Sequence, residues 1–198
     1  MSETLLDAHY WNERYQNSAT GWDIGAISTP LKEYIDQLDS KEIRILIPGC
    51  GNAYEAAYLL EKGFTNITLI DIAPALTKKL ADQFPAHINK SLHIITGDFF
   101  QLQGQYDLIL EQTFFCALDP ALRDNYASKM KELLAPQGKL AGVLFNRDFP
   151  GGPPFGGSIA EYKKLFSGYF ESVYLEPCYN SIEPRKDAEA FVILSNKF

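Results

Sequence analysis

From about residue 43 onward, short runs of consecutive apolar residues alternate with stretches in which apolar residues recur every three or four positions. A run that is apolar throughout suits a strand covered on both faces, whereas the wider spacing suits a helix with one buried face. This pattern predicts strands at 44–48, 67–70, 91–96, 106–110 and 139–146, then at about 170–176 and 189–195. Helices are predicted at 53–62, 74–84, 121–134 and 159–166. Gly63 closes the first of them, Pro74 opens the second and Pro85 stops it, and Pro136-Gln-Gly138 breaks the third. Strands alternating with helices predict a mostly parallel sheet of seven strands with helices on both sides, an α/β Rossmann-like architecture. Only residues 177–187 separate the last two strands, too few for a helical crossover, so these strands should be antiparallel.

Residues 1–42 stand outside the alternation. Trp11, Tyr15 and Trp22 lie there among polar residues, and Gly21, Gly25 and Pro30 punctuate the rest. The region reads as a helical cover over the carboxyl edge of the sheet, where open α/β sheets bind ligands. With 198 residues and 46% hydrophobic content, one domain is expected, comprising this cover and a core from residue 43 to 198. Charge narrows the function classes: 18 basic against 25 acidic residues, net −7, give no general footprint for nucleic acid or an anionic membrane. Cys50, Cys116 and Cys178 form no C-x-x-C pair, and no run approaches the length of a signal or membrane segment, so a cytoplasmic protein without a metal site is expected.

The chemistry concentrates at successive strand ends. Gly49 and Gly51 allow a tight turn after the first strand and close approach of a ligand to the backbone, and the following helix offers free N–H groups to an anion. A nicotinamide fingerprint needs a third glycine where Tyr54 stands, with Glu55 beside it; a ring and a carboxylate suit a sulfonium-bearing amino acid better than a pyrophosphate. Asp71 closes the second strand about 20 residues after Gly51, where a carboxylate accepts from both ribose hydroxyls. Asp98 follows the third strand and can accept from an adenine amino group while Phe99 packs on the ring. After the fourth strand come Gln112, Phe114, Phe115 and Cys116, with core packing the alternative for both rings. Cys116 has no histidine near it in sequence, and His93, in an apolar strand, reads as a core residue. The loop at residues 151–157 carries Phe155 between stiff prolines and flexible glycines, which suggests a flap over a pocket. Tyr179 and Pro184-Arg-Lys186 are candidates for the same rim, although charge alone favours a solvated hairpin tip for Arg185 and Lys186.

These residues resemble the thiopurine methyltransferase superfamily and, within it, the thiol and halide methyltransferases. The resemblance runs over nearly the whole chain, through Trp11-x-x-x-Tyr15, Gly21-Trp-Asp-Ile-Gly25, Pro48-Gly-Cys-Gly51, Asp71-Ile, Gly97-Asp-Phe99, Thr113-Phe-Phe-Cys-Ala117, Gly152-Pro-Pro-Phe155 and Ser181-Ile-x-Pro-Arg-Lys186. It implies a class I methyltransferase fold and S-adenosylmethionine as cofactor, contacted by Trp11, Tyr15, Gly49, Asp71, Asp98, Phe99 and Gln112. Gly51 shares the glycine turn, and Trp22 closes the cover. Tyr15 stands where the plant enzymes have tryptophan, and Phe155 where they have tyrosine and thiopurine-type enzymes have phenylalanine. The expected reaction is methyl transfer to a small-molecule acceptor, a thiol or hydrosulfide, with halides and aromatic thiols as alternatives. Trp22, Phe114, Phe115, Phe155 and Tyr179 are the candidate acceptor contacts. No catalytic base is expected, because an ionised thiol needs alignment and partial desolvation rather than a dedicated base. A nicotinamide dehydrogenase and a non-catalytic cofactor-binding module are the rival classes.

Overall fold

The computed structural model describes residues 5–196. In chain order the elements are α1 (Ala8–Gln16), α2 (Thr29–Asp36), β1 (Ile45–Pro48), α3 (Tyr54–Glu61), β2 (Ile67–Asp71), α4 (Pro74–Gln83), β3 (Leu92–Thr96), β4 (Tyr106–Gln112), α5 (Phe114–Ala117), α6 (Arg123–Leu133), β5 (Leu134–Phe145), α7 (Ile159–Ser167), β6 (Ser172–Pro177) and β7 (Glu189–Ser195). Local chemistry sets several of these boundaries. Asp7 accepts the Tyr10 N–H at the start of α1, Ser158 and Glu161 form a reciprocal capping box on α7, and prolines open α2 and α4. Gly63 follows α3 with φ +85°, the left-handed conformation that ends helices.

The seven strands run in the order β3-β2-β1-β4-β5-β7-β6. β1 pairs in parallel with β2 and β4, and those with β3 and β5, so the carboxyl ends of the first five strands share one edge. β7 lies between β5 and β6 and is antiparallel to both, with Phe145 opposite Glu189 and Lys139 opposite Ser195. The expected hairpin is therefore present, and its second strand is inserted next to β5. Side chains alternate between two apolar layers as strand pleating requires. Leu46, Ile109, Leu140 and Leu144 face α6 and α7, whereas Ile45, Ile47, Leu108, Leu110 and Val143 face α2, α3 and α4. Among the described residues no helix is long and apolar enough to cross a membrane.

The structure departs from the sequence expectation in three places. α2 does not cover the sheet edge: Leu31 and Ile35 are fully buried against α3 and the sheet face, leaving α1 and residues 17–28 as the cover. β5 starts before Pro136, because Leu134 pairs with Tyr106 before the register jumps to Leu108 opposite Lys139. The intervening residues leave the ladder, which accommodates a proline that cannot donate to it. His93 is exposed, since β3 is an edge strand with one face open to solvent.

Candidate active site

The shared carboxyl edge carries a cavity of about 300 Å³. The turn after β1 forms its floor, with Gly49 at φ +54° and Gly51 at φ +51°. A Cβ on Gly49 would run into the Phe114 ring, so both backbone conformation and close packing demand glycine there. Asp71, at the end of β2, lines the cavity while being 7% exposed. Burial pushes its carboxyl up to about 6, against the N–H groups of Ala73, Gly51 and Ile72, which favour the charged form. Asp98 follows β3, accepts the Phe100 N–H at 2.9 Å and faces the same cavity. Phe99 is buried beneath it and meets Phe114 edge-on at 5.1 Å.

Three rings close the cavity from the amino-terminal side. Trp22 packs edge-on against Trp11 at 5.5 Å and Tyr15 at 5.9 Å, and all three line the cavity. Burial, then the charge of Asp71, pushes the Tyr15 hydroxyl well above its ordinary range, so it stays a neutral donor. The segment bearing Trp22 is fastened at several points: Asp23 accepts from the Asn52 amide and from Tyr54 Oη, and Ser28 Oγ donates to Gln112 Oε1 at 2.7 Å. A second recess of about 60 Å³ shares Trp22, Gly49 and Thr113 with the cavity and adds Gly51, Gln112 and Arg185. Gln112 Nε2 is buried there without a hydrogen-bond partner among the described residues. A buried donor of that kind costs free energy unless an acceptor meets it.

Beyond these groups the cavity lining is largely apolar. Phe114, Leu118, Leu122, Phe145, Pro153 and Pro154 are part of it, and among the described residues Asp71 and Asp98 are the only charged side chains in the lining. Phe114 is aimed by the start of α5, where Thr113 adopts φ +66°, a conformation costly for a β-branched residue. Glu111 anchors that turn. It is fully buried, accepts the Phe115 N–H at 3.0 Å and the Tyr126 hydroxyl at 2.5 Å, and burial raises it to about 7. Cys116 is also fully buried, and burial pushes its thiol up to about 12, which leaves a packing residue rather than a nucleophile.

Some residues singled out in the sequence lie elsewhere. Phe115, adjacent to Phe114, is 0% exposed and packs against Tyr126 and Tyr162, because successive side chains at the start of α5 diverge into cavity and core. Tyr179 is 90% exposed and donates to Glu33, away from the cavity. Phe155 does not line the cavity either: its ring lies on Gly152 and its N–H donates to Cys116 O at 2.6 Å. The neighbouring Pro153 and Pro154 supply the wall instead. Arg123 donates to Gly156 O at 2.7 Å, so this loop is tied down at both α5 and α6 rather than hinged as a flap. Ile72, Leu118, Leu122 and Phe145 were missed by sequence reasoning; they are ordinary apolar residues whose spacing signals only core.

The geometry fits a cofactor with a ribose, an aromatic base and a polar amino acid end. Asp71 and Asp98 sit at consecutive strand ends, aromatic rings line the same cavity, and the Gln112 amide nitrogen, without a partner among the described residues, lies in the recess beside the glycine turn. Comparison with known proteins bears on the same point. The family model for thiopurine S-methyltransferase matches residues 6–197. The probable thiol methyltransferase 2 of Arabidopsis thaliana is 29% identical over 184 residues, covering 90% of this chain and 81% of the relative. Thiocyanate methyltransferase 1 of Brassica oleracea is 29% identical over 185 residues with the same coverage. Among solved structures, 1,6-didemethyltoxoflavin-N1-methyltransferase of Burkholderia thailandensis, with S-adenosylhomocysteine bound, superposes with a TM-score of 0.70 at 17% identity, over 100% of this chain and 94% of that one. That likeness carries the fold, whereas the family match covers the cover, glycine turn and far wall together. The chain belongs to the thiopurine S-methyltransferase family and is an S-adenosylmethionine-dependent S-methyltransferase.

Proposed function

We propose that this enzyme methylates the sulfur of a thiol carrying an apolar substituent, in preference to an inorganic anion such as thiocyanate or a halide. The observation that carries this reading is the set of apolar side chains in the cavity lining, Phe114, Leu118, Leu122, Phe145, Pro153 and Pro154. An apolar substituent buried there contributes about 25 cal/mol per Å² removed from water, a gain a bare anion lacks. An anion would also shed hydration with no cationic side chain on those walls to replace it.

In this reading Asp71 accepts from the ribose hydroxyls, Asp98 and Phe99 hold the base, and the Gly49–Gly51 turn with Gln112 Nε2 receives the amino acid end. Trp11, Tyr15 and Trp22 cover the site and exclude water. A bound S-adenosylmethionine would supply an electrophilic methyl group, which the acceptor sulfur would take while the sulfonium sulfur kept the bonding pair and the thiol proton left to water. The walls supply alignment and desolvation, and near-attack placement can account for roughly 7–11 kcal/mol of such a barrier. Cys50, Cys116 and Cys178 are all unpaired and buried, which supports a reducing, cytoplasmic setting.

The test is calorimetry with S-adenosylhomocysteine followed by mass detection of methylated products from thiophenol, hydrosulfide, thiocyanate and iodide. Binding with thiophenol as the best acceptor is expected. Hydrosulfide, thiocyanate or iodide as the best acceptor would overturn the acceptor assignment.

A further inference from the structure

The guanidinium of Arg185 is largely buried and has no part in the proposed chemistry. Arg185 lies in the turn between β6 and β7, with its side chain only 11% exposed, yet its guanidinium reaches the opposite end of the chain. One arm, Nη1, meets Glu189 Oε1 at 3.2 Å, and the other, Nη2, donates to the backbone oxygen of Trp22 at 2.7 Å. Its flat face lies 5.1 Å from the centre of the Phe145 ring. Glu189 is 3% exposed and opens β7 opposite Phe145, so the guanidinium is rooted in the sheet rather than in a mobile surface turn. Phe145 walls the acceptor end of the cavity, and Trp22 lines both the cavity and the recess. One planar group thus joins a wall of the acceptor chamber to the aromatic cover.

We infer that Arg185 is a positioning residue that sets the closed position of Trp22 over the site, acting through the Trp22 backbone carbonyl. This inference rests on the cofactor assignment proposed above. The fork geometry is what the role requires: a guanidinium can hold a carboxylate and a carbonyl at once in fixed directions, whereas an ammonium is a point charge on a flexible stem. Asp23 fastens the next residue to Asn52 and Tyr54, so the backbone on either side of the Trp22–Asp23 peptide is held from two different parts of the sheet edge. Removing Arg185 frees one side and lets the indole drift from Trp11 and Tyr15.

Arg185 also lines the recess, where direct contact with a cofactor carboxylate is the competing role. Calorimetry with two ligands separates them: S-adenosylhomocysteine, which carries the amino acid end, and 5′-methylthioadenosine, which lacks it. Wild-type binding of both establishes the cofactor site independently of Arg185. For Arg185→Leu combined with Glu189→Gln, which leaves no unpaired buried carboxylate, both ligands should weaken alike, by about tenfold, the scale of one charge-assisted hydrogen bond. Arg185→Lys, which keeps the charge beside Glu189, should restore thermal stability without restoring affinity. Ligand-induced change in tryptophan emission, followed in a Trp11→Phe background so that Trp22 is the sole reporter, should shrink in the Arg185 variants. A loss confined to S-adenosylhomocysteine, full recovery of affinity by Arg185→Lys, or an unchanged Trp22 signal would each overturn the positioning role.

Discussion

The proposed cofactor and acceptor ends of the cavity are built from different materials. The cofactor end uses backbone turns and carboxylates at the ends of β1, β2 and β3, where Gly49, Asp71 and Asp98 follow one another at strand spacing. The acceptor end uses carbon alone, gathered from α5, the start of α6, the end of β5 and the loop after it, in Phe114, Leu118, Leu122, Phe145 and Pro153. Polar groups demand particular partners in particular directions, so the first end recognises one molecule. An apolar wall asks only for shape and area, so a change of one side chain alters acceptor preference without disturbing the fold.

The comparison breaks most visibly at Asp71. Asp71→Ala should weaken S-adenosylhomocysteine binding by about 1.5–3 kcal/mol, the worth of hydrogen bonds to a charged group, with the acceptor's KM little changed. In the wild type, affinity should rise with pH through about 6, because only the ionised carboxylate accepts from both ribose hydroxyls. A pH-independent affinity and an unweakened variant would remove Asp71 from the cofactor end. At the other end, Leu122→Lys places a cation in the apolar wall. It should lower kcat/KM for thiophenol by about tenfold, within the range expected for one pocket contact, while cofactor affinity moves by less than about threefold. Equal losses in both would mean that the two ends are one unit.

A third prediction concerns the support beneath Phe114. Glu111 carries a proton up to about 7 in the folded protein but, with an ordinary value of 4.5, releases it earlier when unfolded. The folded state therefore binds more protons across that window, and its stability falls as pH rises through it, by at most about 1.4 kcal/mol per unit for one group. Glu55, also buried and raised to about 7, adds to the same slope. Melting curves from pH 5 to 8 should show the decline, and Glu111→Gln should flatten it; an identical slope in the variant would sink the assignment.

The contrast also explains what the sequence made legible. The strands, the helices after residue 43 and the glycine–acid–acid series carry periodicity or special residue types, and the structure brings Gly49, Asp71, Asp98, Trp11, Tyr15 and Trp22 together around one cavity. The acceptor wall carries no such signal. Phe114 and Phe115 are adjacent and chemically identical, and only a four-residue helix started by a left-handed Thr113 sends one to the cavity and the other to the core. Leu118 and Leu122 read as core spacing, and the prolines beside Phe155 read only as stiffening of a loop. β7 entered between β5 and β6 because long-range pairing decides strand order, which local pattern does not encode. Arg185 read as a solvated hairpin tip because nothing local announces a carbonyl from residue 22 as its partner.

The most direct test of a polar cofactor end joined to an apolar acceptor end is a series of straight-chain alkanethiols of increasing length, assayed for kcat/KM at saturating S-adenosylmethionine. Each methylene buried is worth about 0.8 kcal/mol, so kcat/KM should climb about threefold to fourfold per carbon until the chamber is full, then level or fall, with the KM for S-adenosylmethionine constant throughout. A flat or descending series, with thiocyanate or hydrosulfide above every alkanethiol, would contradict the account.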